Sequence, residues 1–240
     1  MNPEFWLEAR KVSKHFGAVS ALQDVDLQLR LSEVVALVGD NGAGKSTLVK
    51  VLSGVHPPSA GEIIIQQQAV SLDSPARARA LGVATIFQEL ALVDNLTVYE
   101  NIFLGREIVR RTFGLPVMDR RRMRERVTQL IAGLGAHIPS PDASVAELSG
   151  GQRQAVAIAR AMDLQTKLVI MDEPTAALAV VESRKVLGLI EQLRRTGAAV
   201  LLVSHNLHDV FEVADRIVVL RRGRKVAEAR RQRCRREVRR

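Results

Sequence analysis

The sequence predicts an α/β fold in which a mainly parallel sheet is combined with antiparallel strands and interrupted by a helical segment. The first thirty residues alternate between apolar and polar, as in VDLQL (25–29), which is typical of half-exposed antiparallel strands. Several later segments are continuously apolar and end at a turn residue, which indicates strands buried on both faces of a parallel sheet. Between about residues 89 and 163 helical spacing dominates, so we expect a helical subdomain inserted into the α/β core.

The individual elements follow from these patterns in chain order. The expected buried strands are EVVALVG (33–39), GVATIFQ (82–88), KLVIM (167–171), AAVLLVS (198–204) and RIVVL (216–220). A further strand is expected at GEIIIQQQAV (61–70), after the turn HPPSAG (56–61). The expected helices are 46–54, 97–107, 119–135, 149–162, 180–195 and 206–213.

The composition is that of a globular protein without a membrane span. A chain of 240 residues with 47% hydrophobic and 25% charged residues can form one large domain or two small ones. Its longest uncharged apolar runs, 34–38 and 198–203, are far shorter than the roughly 20 residues that cross a bilayer. Glu4 and Glu8 stand where a signal peptide needs a basic start and an apolar core, and the single Cys234 cannot form an internal disulfide. We therefore expect a cytosolic protein.

The formal net charge of +9 is confined to the C-terminus. Residues 221–240 contain eleven Lys or Arg and two Glu, which accounts for the whole excess, and the other 220 residues balance. With 3% aromatic residues there is little to stack on bases, so no nucleic-acid partner is expected. We expect the folded domain to span 1–229 and residues 230–240 to form a solvated, disordered basic tail, with attraction to anionic lipid as the alternative.

The segment GDNGAGKS (39–46) has the spacing of a phosphate-binding loop. Gly39, Gly42 and Gly44 allow the backbone to turn its N–H groups toward phosphate oxygens, and Lys45 supplies a point charge for the outer phosphates. Ser46 can bind Mg²⁺, and the helix that follows directs its positive N-terminus at the same anion. The predicted strand before the loop and the helix after it are the context that this chemistry requires.

Two adjacent carboxylates, Asp172 and Glu173, follow the predicted strand KLVIM. Carboxyl ends of parallel strands are where ligands collect in open α/β sheets. Beside a phosphate loop, Asp172 is suited to bind Mg²⁺ through water opposite Ser46, and Glu173 is suited to polarise the water that attacks a γ-phosphate. The sequence thus predicts one acid for the metal and one for the water.

A second anion site is indicated by LSGGQ (148–152). Ser149, Gly150 and Gly151 offer a hydroxyl and two unobstructed N–H groups where an Ala-rich helical segment begins. By itself this pattern is typical of an ordinary helix N-cap, and it gains meaning only beside the other two motifs.

Taken in order, the phosphate loop at 39–46, LSGGQ at 148–152 and LVIMDE at 168–173 resemble the nucleotide-binding subunit of an ABC transporter. The resemblance covers about residues 5–228. It implies a P-loop NTPase fold in which two chains sandwich two ATP molecules head to tail. It also implies that each ATP is held by residues 39–47 of one copy, Asn41 and Thr47 among them. The same ATP is contacted by Ser149, Gly150, Gly151 and Gln152 of the other copy.

The same resemblance assigns roles to three further residues. Gln88 in IFQE matches the glutamine that senses Mg²⁺ and the attacking water and joins the core to the helical subdomain. His205 in VSHN matches the histidine that contacts the γ-phosphate. Phe16 in KHFG matches the aromatic residue that stacks on adenine, a contact worth about 1 to 3 kcal/mol by analogy with base stacking on protein aromatics.

Other segments are similar to bacterial importers of simple sugars of the ribose and fructose type, namely NLTVYENIFLGRE (95–107), DEPTAALAVVESRKVL and SHNLHDVFEVADRIVVLRRGRKV. The resemblance implies an ATPase that works as a homodimer and binds a membrane permease through its helical subdomain. It also implies a periplasmic or external substrate-binding protein in the full complex and a position at the cytoplasmic face of the membrane. The substrate itself is not specified by this chain.

Two positions depart from the family pattern. Most ABC proteins have an Asp where this chain has Ala179, and that acid helps to couple the two sites of the dimer. Sugar-group members often lack it as well, so Ala179 supports the assignment, with weakened coupling as the alternative. The ending EARRQRCRREVRR also differs from the continuation expected in that group.

Three alternatives remain at the level of sequence. A soluble ABC ATPase acting on nucleic acid or ribosomes is encouraged only by the Arg-rich tail, and the second ABC domain or long insertion usual in such proteins is missing here. An importer ATPase for a non-sugar substrate is the second. A regulatory nucleotide binder that does not hydrolyse ATP is the third, and Glu173, Gln88 and His205 argue against it.

Overall fold

A computed structural model describes residues 5–112, 115–163 and 166–231. In chain order its elements are β1 (Leu7–Phe16), β2 (Val19–Leu29), β3 (Val34–Val38), α1 (Lys45–Leu52), β4 (Ala60–Ile65), β5 (Gln68–Val70), α2 (Pro75–Ala80), β6 (Val83–Ile86), α3 (Val98–Phe103), β7 (Val109–Thr112), β8 (Leu115–Met118), α4 (Arg120–Gly133), a 3₁₀ turn at Val145–Glu147, α5 (Gly150–Met162), β9 (Leu168–Asp172), α6 (Val180–Arg195), β10 (Ala199–Val203), α7 (Leu207–Val213), β11 (Arg216–Arg221) and β12 (Arg224–Arg230).

The central sheet has the strand order β12–β11–β3–β10–β9–β6, and every pair is parallel except β11–β12 at one edge. All residues of β3 and β10 are buried, as their continuous apolar sequences predict. The register pairs Val203 with Asp172 and Ile86 with Met171, so β6, β9 and β10 end side by side. The predicted fold class is confirmed, and the carboxyl ends of these strands form one edge at which loops can gather side chains.

Each face of the central sheet packs against its own hydrophobic core. Val34 and Ala36 of β3 face the core shared with α3 to α7, whereas Val35 and Leu37 face the core shared with α1 and the antiparallel strands. This alternation follows from the two-residue period of a strand. The result is a layered domain in which both faces of the parallel sheet are covered, as such sheets require.

The N-terminal strands form a separate antiparallel sheet with the order β2–β1–β4–β5. The expectation of a single strand over 61–70 is wrong, because the chain folds back between β4 and β5. Gln66 and Gln67 adopt positive φ values of 50° and 67° in the two-residue turn. Two-residue hairpins of this kind usually carry Asn or Gly, so two glutamines do not indicate a turn.

The segment between β6 and β9 is mainly helical, with α3, α4 and α5 in the order that the sequence predicts. The helix α3 is shorter than the predicted 97–107, because Leu104 leaves the helical conformation and Gly105 has φ 72°. The hairpin β7–β8 was not predicted, and its exposed apolar residues include Val109 and Leu115. A hairpin outside the core has no buried face, so its sequence lacks the alternation of apolar and polar residues by which strands are predicted.

The basic C-terminal stretch is in part a strand of the central sheet. Arg216 is buried, donates to Glu33 at 2.9 Å and forms a second ion pair with Glu228 of β12. The strand β12 reaches Arg230, the first residue of the predicted tail, and the backbone N–H of Arg231 donates to the carbonyl of Asp215. The rest of the predicted tail, 232–240, lies outside the described residues, so its disorder remains a prediction.

Within the described ranges, every helix is too short or too polar to cross a lipid bilayer.

Candidate functional site: a phosphate loop and polar strand ends

The phosphate-loop sequence connects the end of β3 to the start of α1, at the carboxyl edge of the central sheet. Gly39 has φ 151° and Gly44 has φ 103°. A Cβ atom on Gly39 would lie 2.2 Å from the carbonyl oxygen of Leu220, and one on Gly44 would lie 2.8 Å from that of Ala21. Both positions therefore need glycine for backbone conformation and for space, which fixes the loop against β11 and β2.

The crowding at Gly39 gives a stability prediction. We expect Gly39→Ala to lower the free energy of unfolding by about 1 to 3 kcal/mol from overpacking, in addition to the cost of its backbone conformation. Gly42→Ala is the matched control: Gly42 also has positive φ, at 79°, but no atom lies within 4 Å of its missing Cβ. Urea unfolding without nucleotide measures the free energy of unfolding of both variants. Equal decreases would show that the close approach to Leu220 does not contribute to the destabilisation.

Lys45, the first residue of α1, is held against the loop backbone. It is 8% exposed, and its ammonium group donates to the carbonyl oxygens of Gly39 at 2.7 Å and Asp40 at 3.1 Å. The side chains of Asn41 and Ser46 are exposed and that of Thr47 is half-buried. The loop thus presents one ordered cation and two accessible polar side chains.

Asp172 and Glu173 lie at the end of β9. Burial raises the pKa of the Asp172 carboxyl above its ordinary value, and the neighbouring Glu173 adds to the rise, while Lys45 and Lys50 oppose it. Glu173 has φ 51°, a left-handed conformation that costs a residue other than glycine about 1 to 3 kcal/mol. The sequence predicted both acids at this strand end but gave no indication of the strained backbone.

His205 contacts Glu173 directly. Its Nδ1 lies 2.8 Å from Oε2 of Glu173, whose side chain is 16% exposed, while that of His205 is 66% exposed. A carboxylate in its ionised form only accepts hydrogen bonds, so with that form the contact requires the His205 tautomer that carries its proton on Nδ1. The backbone N–H of Glu173 also donates to the carbonyl of Val203 at 2.9 Å, which extends the β9–β10 pairing beyond the strands.

The remaining strand end brings Gln88 to the same edge. Gln88 is exposed and follows β6 by two residues, and β6 is the neighbour of β9 in the sheet. The order β3–β10–β9–β6 therefore sets the phosphate loop, His205, the two acids and Gln88 along one edge, although they span more than 150 residues of sequence. These are the predicted site residues that the fold brings together.

Phe16 lies at the tip of the β1–β2 hairpin, which packs beside the phosphate loop through Leu22 and Gly44. The ring is 44% exposed, meets the ring of His56 edge-on at a centroid distance of 5.3 Å, and has the ammonium group of Lys14 at 5.2 Å. An exposed ring supported at its edge is suited to stacking on a planar ligand. The contact between Phe16 and His56 was not predicted from the sequence.

The LSGGQ residues form a separate group at the start of α5. The Ser149 hydroxyl accepts from the N–H of Gln152 at 3.4 Å, and the Gln152 side chain accepts from the N–H of Ser149 at 2.9 Å, which is a capping box. A Cβ on Gly150 would lie 2.5 Å from Leu178, and one on Gly151 would lie 3.5 Å from Glu182. The structure thus groups these residues with the start of α6, and not with the phosphate loop of the same chain.

A buried polar pair beside the two acids was missed by sequence analysis. The hydroxyl of Thr175 donates to Oδ2 of Asp209 at 2.7 Å, and the two residues are 8% and 6% exposed. The available signal was Asp209 itself, an acid in the apolar segment LHDVFEV of α7. It was not recognised because its partner is 34 residues away.

Comparison with known proteins places this geometry in a family. The family model described as ABC transporter matches residues 22–176. The chain is 50% identical to the xylose/arabinose import ATP-binding protein XylG of Sulfolobus acidocaldarius, over 91% of the chain and 85% of that protein. It is 46% identical to the fructose import ATP-binding protein FrcA of Rhizobium meliloti, over 92% and 86% of the two chains. It is 48% identical to the ribose import ATP-binding protein RbsA of Chromobacterium violaceum, but spans only 43% of that protein.

Solved structures show the same fold. A nucleotide-free ATP-binding cassette from an ABC transporter matches with a TM-score of 0.83 and 27% identity, covering 94% of this chain and 91% of that one. An ATP-binding cassette in its ADP conformation matches with a TM-score of 0.83 and 26% identity, covering 95% and 92%. A dimeric post-hydrolysis cassette bound to ADP and Pi matches with a TM-score of 0.76 and 25% identity, covering 93% and 98%.

Proposed function

Because this chain belongs to the ABC transporter family, in which the named relatives are ATP-binding proteins of sugar import, we propose that it is the ATP-hydrolysing subunit of a monosaccharide importer. In this proposal two copies close head to tail on two ATP molecules, and hydrolysis reopens them to drive a separate permease. The observation that carries it is the common sheet edge, where the phosphate loop, Asp172, Glu173 and His205 lie together.

The residues at this edge fit a magnesium–nucleotide complex. Within the described part of the chain, no cluster of three or more His, Cys, Asp or Glu could hold a metal by itself, and Mg²⁺ commonly takes one or two protein ligands plus substrate phosphates. Burial and the neighbouring Glu173 disfavour the ionised form of the Asp172 carboxyl. A bound cation would offset this cost. Ser46, Asp172 and Gln88 would hold Mg²⁺, whose charge would balance that of the phosphates.

The hydrolytic step is assigned to Glu173. Its carboxylate accepts a proton from the water whose oxygen attacks the γ-phosphorus, while the bond to the β–γ bridging oxygen breaks and ADP leaves. His205 donates through Nδ1 to the same carboxylate and so fixes its direction. Lys45 at the phosphate loop is placed to stabilise charge on the outer phosphates, with Asn41 and Thr47 as further loop contacts.

The LSGGQ residues (148–152) are proposed to act on the second copy. Ser149, Gly150, Gly151 and Gln152 lie at the N-terminal end of α5, where free N–H groups favour an anion. Because they are grouped apart from the phosphate loop in their own chain, we propose that they contact the γ-phosphate held by the other copy. Phe16 stacks on adenine at the tip of the β1–β2 hairpin. The homodimer is supported by the dimeric cassette that shares this fold.

The permease is proposed to dock in a cleft between the core and the helical segment. This cavity of about 460 Å³ lies between β6, α2, the end of α3 and α5, and its lining includes Arg79, Arg106 and Arg160. Burial lowers the pKa of Arg160, and the neighbouring Arg106 and Arg79 lower it further. The positive charge of the cleft is therefore not fully balanced within the described residues, although Arg106 pairs with Asp163 at 3.4 Å. Such a cleft suits a permease segment that carries acidic residues.

Charge reversal in this cleft tests permease docking. We expect Arg79→Glu to lower recovery of the co-purified permease about 10-fold or more, because like charges would then face each other across the interface. Basal ATPase activity of the isolated subunit should stay within about two-fold. Arg77→Glu is the control, since Arg77 is exposed on the same short helix but does not line the cleft. Equal recovery with both variants would place the permease elsewhere.

The substrate is tested through the intact complex. The subunit is purified from its native membranes, the co-purifying permease and external substrate-binding protein are identified, and that binding protein is titrated with a panel of monosaccharides. Binding of a pentose or hexose is the expected result, since the relatives are named for xylose/arabinose, fructose and ribose import. A partner that binds none of these sugars but takes another solute would contradict the sugar assignment. The proposal places the subunit at the cytoplasmic face of the membrane, and its co-purification with the permease is the expected sign of membrane association.

A further inference from the structure

The buried pair Thr175–Asp209 borders the reaction site. Both residues line a cavity of about 440 Å³ that Glu173 and His205 also line. The 2.7 Å separation of Thr175 Oγ1 and Asp209 Oδ2 is that of a hydroxyl donating to an ionised carboxylate. The other oxygen of Asp209 lies 3.9 Å from Nδ1 of the exposed His208, so the Thr175 hydroxyl is the short polar contact of this carboxylate.

The pair joins the two segments that carry the catalytic side chains. Thr175 follows Glu173 by two residues, and Asp209, in the first turn of α7, follows His205 by four. Three hydrogen bonds therefore connect the chain that follows β9 to the end of β10 and the segment after it. They are the backbone bond from Glu173 to Val203 at 2.9 Å, the Glu173–His205 contact at 2.8 Å and the Thr175–Asp209 bond. The first two bonds are made by Glu173 itself. The third is made by Thr175, in the loop that follows Glu173.

We propose that Thr175 and Asp209 are positioning residues for ATP hydrolysis: their bond holds the Glu173 carboxylate in reach of His205 and of the attacking water. A left-handed residue other than glycine persists only where its surroundings determine it on both sides. On the N-terminal side of Glu173 that constraint is the β9 pairing. On the C-terminal side it is the turn bond from the N–H of Ala176 to the carbonyl of Glu173 at 3.3 Å, together with Thr175 bound to α7. This inference rests on the proposed function, in which Glu173 activates water.

Removal of one hydroxyl separates positioning from simple stability. Thr175→Val keeps the shape of the side chain and deletes its donor, and we expect kcat for ATP to fall about 10- to 100-fold because the carboxylate is misplaced. Affinity for ATP, measured by titration with a fluorescent analogue, should change less than about two-fold, because the phosphate loop is untouched. Thr175→Ser keeps the hydroxyl, and its kcat should stay within about three-fold of the wild-type value.

The control is Thr196→Val. Thr196 also donates a 2.7 Å hydrogen bond from its hydroxyl, to the carbonyl of Leu193 at the end of α6, away from the site. It should lower the thermal midpoint without changing kcat.

If Thr175→Val does not fold, the double variant Thr175→Val/Asp209→Leu removes both polar partners at once, which a buried site tolerates better than the loss of one. The same kcat loss is expected of it, and wild-type kcat in either variant would overturn the inference.

A cycle with Glu173→Gln distinguishes this inference from the proposed function. If Thr175 acts through Glu173, then Thr175→Val in the Glu173→Gln background should cause no further loss of the residual rate. A further loss of the same size would show that Thr175 acts on the rate independently of Glu173, which overturns the positioning role. If Glu173→Gln alone hydrolysed ATP normally, the catalytic assignment would fail instead.

Discussion

Glu173→Gln is expected to lower the ATP hydrolysis rate by at least about 100-fold, because in the proposed mechanism it removes the general base. The amide keeps the size of the side chain and can still accept from Nδ1 of His205, so the fold and the contact at 2.8 Å should persist. It cannot take a proton from water, so bound ATP is not consumed. The variant should therefore accumulate as an ATP-bound dimer, seen as a doubled mass in light scattering with ATP and a single mass with ADP.

The matched control is Glu212→Gln. Glu212 is an exposed acid on α7 and lines the same cavity of about 440 Å³ as Glu173, but the carboxylate bonded to His205 is that of Glu173. Phosphate release by this variant should remain at the wild-type rate. A normal rate for Glu173→Gln, or an equal loss for both variants, would remove Glu173 from its assigned role.

Lys45→Ala should weaken ATP binding by about 10- to 100-fold, since a hydrogen bond to a charged group contributes about 1.5 to 3 kcal/mol. The ammonium group is prepositioned at the loop by its bonds to the carbonyls of Gly39 and Asp40, so little ordering is needed when phosphate binds. The measurement is the rise in thermal midpoint with added ATP, which reports binding to the folded state. We expect that rise to be lost in the variant at ATP concentrations that protect the wild-type protein.

Lys50→Ala is the control for the loss of one positive charge from α1. Lys50 lies on the same helix, is exposed, and like Lys45 lowers the pKa of Asp172, but it stands more than one turn from the loop. Its ATP-dependent midpoint shift should match that of the wild-type protein. Equal weakening in both variants would indicate that net positive charge, and not the placement of Lys45, controls nucleotide affinity.

The core of this fold could be predicted because its signals are local. Continuous apolar runs such as 34–38 and 199–203 became the buried strands β3 and β10, since a strand covered on both faces needs apolar residues at every position. The Gln66–Gln67 turn and the β7–β8 hairpin were not predicted. In the first the backbone conformation is imposed by pairing and not by turn residues, and in the second there is no buried face to leave a pattern in the sequence.

The site could be predicted as a set of residues but not as an arrangement. Phosphate-loop spacing and strand-end acids are visible in short segments, and the family resemblance supplied Gln88, His205 and Phe16. The contact between Glu173 and His205 depends on β9 and β10 being neighbours in the sheet, which sequence proximity does not indicate. The same applies to Thr175 and Asp209. Side chains that meet across a sheet are determined by strand order, and strand order is a property of the whole domain.

The tight contact between Gly150 and Leu178 has a consequence for communication between the two ATP molecules of the proposed dimer. A Cβ on Gly150 would lie 2.5 Å from Cδ2 of Leu178, and the N–H of Leu178 donates to the carbonyl of Thr175 in the turn that follows Glu173. In the proposed dimer the start of α5 would face the other copy's nucleotide, and a shift of that helix would be passed through Leu178 to the turn that follows Glu173 in the same subunit. Each copy would then sense its neighbour's phosphate through the packing of Leu178 on Gly150, a linkage that does not require an acid at position 179.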